Sequence, residues 1–229
     1  MPTWKRVIDL LCCAAAFPLF AVLTLFMALM TRLTSPGPVL FRQERVGLDG
    51  RRFRIFKFRT MHAGVETFGH RAHSSQLRAT NAPMQKLDAQ GDKRLIPGGW
   101  ILRATGLDEL PQIVNIWRGE MSAVGPRPCI PYEYEEYTEE QRQRFRSVPG
   151  LTGLWQVSGK NRTTFEEMIR FDREYTRRMS FSLDLKIILL TIPALCVQLS
   201  DIHHSRRATS IPPPPSPPTR DGTEALPSK

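Results

Sequence analysis

Cysteine and histidine are scarce in this chain, and neither is spaced to hold a metal or a cross-link. The four cysteines, Cys12, Cys13, Cys129 and Cys196, form no C-x-x-C pair, and the first two lie in an apolar run. That excludes a zinc ribbon and a disulfide framework, and it fits a reducing compartment. The five histidines are scattered and start no ligand motif. Acidic residues are also short, 22 against 32 Lys and Arg, which leaves a net charge of +10. Such a balance suits nucleic acid, an anionic membrane surface or a phosphorylated substrate. A length of 229 residues allows one domain with appendages.

Charge is missing altogether from Leu10 to Met30. As one helix that run would reach about 32 Å, enough to cross a bilayer. No small-residue cleavage site follows, so it is not a signal peptide. Two features argue against a plain single-pass span. Pro18 breaks the run internally. Both flanks are basic, with Lys5 and Arg6 before and Arg32, Arg42 and Arg45 after. The positive-inside bias then places both ends in the cytoplasm. A helix that enters, breaks at Pro18 and returns satisfies both flanks, so residues 1–34 are expected to form a re-entrant membrane hairpin. A nucleic-acid-binding protein would explain the charge but not this run.

Ser35-Pro36-Gly37-Pro38 ends that element with turn chemistry. Val39 to Val46 and Arg52 to Thr60, joined across Leu48-Asp49-Gly50-Arg51, predict a β-hairpin. Its arginines and Lys57 interleave with phenylalanines, a pattern suited beside a membrane to headgroup or substrate phosphates. Ala63 to Asp92 reads as a mobile loop, and the charged run from Pro131 to Val148 as a solvated helix. Thr164 and Glu167 make a capping box, followed by an apolar stripe of Phe165, Met168, Ile169, Tyr175 and Met179. Leu183 to Leu199 carries Asp184, Lys186 and Pro193 and suits an interfacial helix. The resulting expectation is an α+β, mostly helical fold, with a catalytic domain over residues 35–202 and a disordered Pro-rich tail over 203–229.

The chemistry concentrates between Arg103 and Pro128, around the adjacent acids Asp108 and Glu109. Leu110, Ile113, Val114 and Trp117 follow at the spacing of a buried helical face, with Asp108 as the expected N-cap and Pro111 in the first turn. Free amides and the helix dipole favour negative charge there. Neighbouring helical side chains diverge, so one acid can attack while the other holds a metal. Arg103 and Arg127 supply the planar forks that suit phosphate. Two acids at a helix start are more often structural than catalytic. The Gly125-Pro126-Arg127-Pro128 run and the membrane segment are what move the balance.

Motifs across the chain, from Lys5 to about Thr191, resemble the bacterial sugar transferases, the monotopic phosphoglycosyl transferases that act on polyprenyl phosphate. They are K-R-V-I-D at Lys5–Asp9, S-P-G-P-V at Ser35–Val39, F-R-Q-E-R-V-G at Phe41–Gly47 and F-K-F-R-T-M at Phe56–Met61. L-D-E-L-P-Q at Leu107–Gln112, V-G-P-R-P at Val124–Pro128 and P-G-L-T-G-L-W-Q-V-S-G at Pro149–Gly159 complete the set. The extent resembles the family's minimal catalytic unit. The resemblance implies transfer of a sugar 1-phosphate from a UDP-sugar to polyprenyl (undecaprenyl) phosphate with release of UMP. That is the first membrane step of exopolysaccharide, O-antigen or glycoconjugate synthesis, at the cytoplasmic face of the bacterial inner membrane. It implies Asp108 as a nucleophile that carries the phosphosugar covalently, Glu109 as the ligand of Mg²⁺, and Arg103 and Arg127 near the phosphates. Lys160, assisted by Arg162, stands where an arginine is usual. Phe17 and Gly106 stand where many members have serine. A homo-oligomer is compatible with this, and the sugar is left open. Two alternatives are direct displacement with Asp108 as base, and a non-catalytic basic membrane scaffold.

Overall fold

The computed structural model describes residues 1–35, 37–62, 80–84 and 94–209, and their fold is mostly helical. The longest element is α1 (Thr3–Thr34), 32 residues of continuous helical backbone with Pro18 inside it. The expected helix-break-helix is therefore not seen as two helices. Proline removes one backbone hydrogen bond, and residues of both halves of α1, Cys13 and Met27 among them, pack into the core of the same domain. Lys5, Asp9, Cys13, Met27 and Thr31 form its buried stripe. Leu11, Phe17, Val22, Leu25 and Leu29 on its other sides are exposed.

Strands β1 (Leu40–Val46) and β2 (Arg52–Phe58) form the antiparallel hairpin that the sequence predicts, in a register from Leu40 opposite Phe58 to Val46 opposite Arg52. The other edge of β2 is covered by the helix over Ile113–Arg118 rather than by a strand. Two helices and a 3-10 segment follow: α2 (Gly99–Thr105), the 3-10 segment Leu107–Gln112, and α3 (Ile113–Arg118). A second sheet, absent from the sequence reading, pairs β3 (Ser122–Val124) in parallel with β4 (Gly150–Thr152). Its close approach depends on glycine: a Cβ on Gly150 would meet the backbone nitrogen of Gly125 at 2.0 Å.

The charged run from Pro131 is not one solvated helix. It breaks into α4 (Pro131–Glu136), α5 (Glu139–Arg142) and the 3-10 segment Gln143–Arg146. Thr138 starts α5 with its own capping box, while Tyr137 and Phe145 turn inward to pack with Phe165, Met168 and Ile169. Then come α6 (Leu154–Val157), α7 (Phe165–Arg178) and α8 (Phe181–Thr209). The capping box of α7 forms as expected, with Thr164 Oγ1 accepting from the Glu167 amide at 3.3 Å. Helix α8 runs through Pro193 into the stretch read as tail, and residues 210–229 lie outside those described. Most of the expected loop from Ala63 to Asp92 also lies outside them. Its described part is tied down, because Met84 donates its amide to Thr163 and Pro83 bridges Thr164.

Helix α1 is joined to the rest by polar as well as apolar contacts. Lys5 Nζ donates to Val124 O at 2.7 Å and to Asp184 Oδ2 at 2.5 Å. Asp9 Oδ1 accepts from Ser122 Oγ and the Ala123 amide at 2.8 and 2.7 Å. Further along, Phe20 stacks on Phe58 with ring centroids 6.2 Å apart, and Met27 packs with Phe58, Ile96 and Leu102. At the C-terminal end Arg59 donates to Ser35 Oγ at 3.3 Å.

Candidate active site

Gly106 adopts a left-handed φ of 75°, closing α2 and opening the 3-10 segment, a geometry that glycine takes without strain. Asp108 is thus the second residue of a 3-10 turn and not the N-cap of an α-helix. Pro111 lies inside that segment, which gives way to α3 at Ile113. The predicted buried face holds at Ile113 but not at Trp117, which is 64% exposed; Ile116 takes the inward position. Three residues per turn send successive side chains about 120° apart. Asp108 turns inward and is buried, while Glu109 reaches β2, where Lys57 Nζ donates to its Oε1 at 2.7 Å. On either side of the dyad, Leu107 and Leu110 pack against the cluster of Met27, Phe58, Ile96 and Leu102, which Phe20 and Leu23 of α1 also join. The two acids therefore lie against the middle of the apolar helix.

The arginines arrive from three directions. Arg103, on the last turn of α2, faces Thr60 Oγ1 at 3.5 Å. Arg127 follows β3, and its guanidinium lies over the Trp155 ring, 5.6 Å from the centroid. Arg45 is buried at the end of β1 and donates to Gln43 Oε1 at 2.7 Å. Burial brings its pKa down to about 10; the charge of Arg127 adds to that, and Glu133 and Glu109 pull the other way. Arg45 thus feels the charges of both Arg127 and Glu109.

Lys160 and Arg162 are less direct. They form a short 3-10 turn after α6, with Lys160 at a positive φ of 42°. Lys160 O accepts from Thr163 Oγ1 at 2.7 Å, and Thr163 Oγ1 accepts from Trp155 Nε1 at 2.5 Å. The turn therefore joins the group through the ring on which Arg127 rests. Pro18 is exposed, on the side of α1 away from the domain. Lys57 and Arg45 belong to the basic–aromatic hairpin that the sequence offered to phosphates, but the sequence named no partner for either. The hairpin register puts both on one face with Gln43 and Ile55, so period-two alternation would have grouped them once that register was known.

Large apolar side chains are also left exposed. Trp100 and Ile101 of α2, Trp117 of α3 and Leu185, Leu189 and Ile192 of α8 are exposed, as is the outer face of α1. Among the described residues α1 is the one helix long and apolar enough to cross a membrane, and only 11% of its most apolar stretch is buried. A soluble protein's core helix would be mostly buried.

The family described as bacterial sugar transferase matches residues 1–198 of this chain. The chain is 40% identical over 196 residues to the exopolysaccharide production protein ExoY of Rhizobium meliloti (strain 1021), across 84% of this chain and 85% of that protein. It is 41% identical over 199 residues to the UDP-glucose:undecaprenyl-phosphate glucose-1-phosphate transferase of Caulobacter vibrioides, across 83% of this chain and 69% of that protein. To the Escherichia coli (strain K12) protein with that activity in its name it is 36% identical, across 82% of this chain and 39% of that protein.

Proposed function

This chain belongs to the bacterial sugar transferase family, and we propose that it moves a sugar 1-phosphate from a UDP-sugar to undecaprenyl or a similar polyprenyl phosphate. Relatives of comparable length are named for exopolysaccharide production and for this transfer. The observation that carries the proposal is the seat of Asp108: a buried carboxylate flanked by leucines packed on α1, beside a Glu109–Lys57 pair. A water-soluble donor and a lipid-borne acceptor need one reactive atom at the boundary of water and bilayer, and this seat supplies one.

In the proposed reaction an Asp108 carboxylate oxygen forms a bond to the sugar-bearing phosphorus, and the bridging P–O bond breaks. UMP leaves with the bridging oxygen. An oxygen of the polyprenyl phosphate then attacks the same phosphorus and returns Asp108 to a free carboxylate. Arg103, Arg127 and Arg45 offset the charge of one anion attacking another. Lys160 and Arg162 would reach the donor from behind Trp155. Asp108 and Glu109 fit Mg²⁺, and no third His, Cys, Asp or Glu joins them in a metal-binding group among the described residues. That ion takes one or two carboxylates and completes its shell with substrate phosphates and water. Glu109 would hold it, and when bound it would screen the diphosphate charge.

A monotopic, re-entrant placement on the cytoplasmic face of the inner membrane is part of the proposal. Both ends of α1 are bonded to one folded body, Lys5 to Val124 and Ser35 to Arg59. A span of about 48 Å crossing the bilayer would carry one end away from it. Asp108→Asn should lower UMP release about a thousandfold or more at unchanged expression. Incubation with labelled UDP-sugar alone should label the parent protein and not the variant. Turnover by Asp108→Asn at the parent rate would refute the chemistry, and an unlabelled but active parent would refute the covalent route.

A further inference from the structure

Arg127 sits between Pro126 and Pro128, neither of which has a backbone N–H. The only amide donor in that tripeptide is Arg127's own, and Asp172 Oδ2 on α7 accepts it at 3.3 Å. The carbonyl of the same residue accepts from Arg144 Nη2 at 2.7 Å. Arg144 and Asp172 are in turn ion-paired to each other, and both side chains are 0% exposed. One closed ring of polar contacts therefore grips both peptide groups of Arg127. It draws on residues distant in sequence, from the Gln143–Arg146 segment and the middle of α7.

Stability does not account for such a pair. A buried ion pair offsets its desolvation cost only when its remaining polar atoms are satisfied. Here Arg144 Nε and Nη1 and Asp172 Oδ1 are buried without hydrogen-bond partners among the described residues. Arg144 also lies over the rings of Phe145 and Tyr137, at 5.2 and 6.0 Å, where an apolar side chain would pack as well. What an apolar pair could not do is hold an N–H and a C=O of the loop at once.

We propose that Arg144 and Asp172 are positioning residues for Arg127, fixing its backbone so that its guanidinium meets the donor diphosphate in one orientation. The proposal rests on the reading of Arg127 as a phosphate-binding arginine. Burial pushes the Asp172 carboxyl up to about 6, against the pull of Arg144 and of Arg127. At Arg144 burial is the largest single influence and lowers the pKa, but Asp172, Tyr137, Cys129 and Glu133 together outweigh it and raise it. In acid the carboxyl takes up a proton and the grip on Arg127 loosens.

The test uses the full-length protein in lipid nanodiscs, with UMP release as the readout and thermal unfolding alongside. Asp172→Asn should raise the KM for UDP-sugar about ten- to a hundredfold with a much smaller change in kcat. Parent kcat/KM should fall as pH drops through about 6, and that limb should be missing in Asp172→Asn. In an Arg127→Ala background, Asp172→Asn should have no further effect on KM. Should the single variant fail to fold, the double replacement Arg144→Met with Asp172→Leu removes both charges together and should fold, with the same rise in KM. If Arg127→Ala raises KM while the Asp172 and paired variants leave it within twofold of the parent, this proposal is overturned. If Arg127→Ala itself leaves KM unchanged, the phosphate-binding reading has failed, and the positioning role with it.

Discussion

Lys57 shows how much one side chain can matter without holding the fold together. Its contact with Glu109 is 2.7 Å long, and the two side chains are 21% and 33% exposed. Pairs with that much access to water contribute roughly 0.2–1 kcal/mol to stability. Lys57→Met should therefore shift the unfolding midpoint by no more than about 4 °C. The same change removes the cation beside the acid proposed to hold Mg²⁺, and kcat/KM should fall about a hundredfold. An activity loss matched by a large fall in midpoint would instead make Lys57 a structural residue. Lysine and glutamate are 52 positions apart, and nothing in either one's local sequence names the other. Arg144 was harder still to read. In its run of glutamine and arginine it looks solvated, yet it is fully buried.

At the scale of elements, the placement of the dyad against β2 depends on Asn115 of α3. Its side chain is fully buried; Oδ1 accepts from the Phe56 amide at 3.2 Å, and Nδ2 donates to Arg54 O at 2.7 Å. The amide thus stands in for a neighbouring strand along the outer edge of β2. It also fixes α3, and the 3-10 segment before it, in register with Lys57. Asn115→Leu keeps the volume but leaves a buried N–H and C=O unpaired, a cost of about 2–4 kcal/mol. The unfolding midpoint should drop by about 5–15 °C. An unchanged midpoint would mean that the edge of β2 needs no cover. The sequence foresaw the hairpin because Asp-Gly and two β-rich runs are local signals. It did not foresee β3–β4, whose short strands carry no periodic pattern and pair only because Gly125 and Gly150 let the backbones meet.

For the whole molecule the decisive question is which side of the bilayer each end of α1 occupies. Thr3 and Thr34 are both exposed, one at each end of the helix. In a background without native cysteines, Thr3→Cys and Thr34→Cys should both resist a membrane-impermeant thiol reagent in intact cells whose outer membrane has been opened. Both should react once the inner membrane is opened. Labelling of just one from outside would mean that α1 crosses, and the monotopic placement would be lost. Pro18 and the basic flanks together suggested a break; the helix continues through Pro18, and both of its halves pack on one body. The expectation that both ends share a side now rests on those docking contacts as well as on basic flanks.

The sequence by itself determined the membrane segment, the acid pair, the arginines and the family, because each is written in contiguous residues whose chemistry is local. Only the tertiary structure decided which charges meet: Lys57 with Glu109, and Arg144 with Asp172 around the Arg127 backbone. The physical reason is that a charged side chain carries a sign but no address. Its partner, and whether water reaches it, are fixed when distant elements pack.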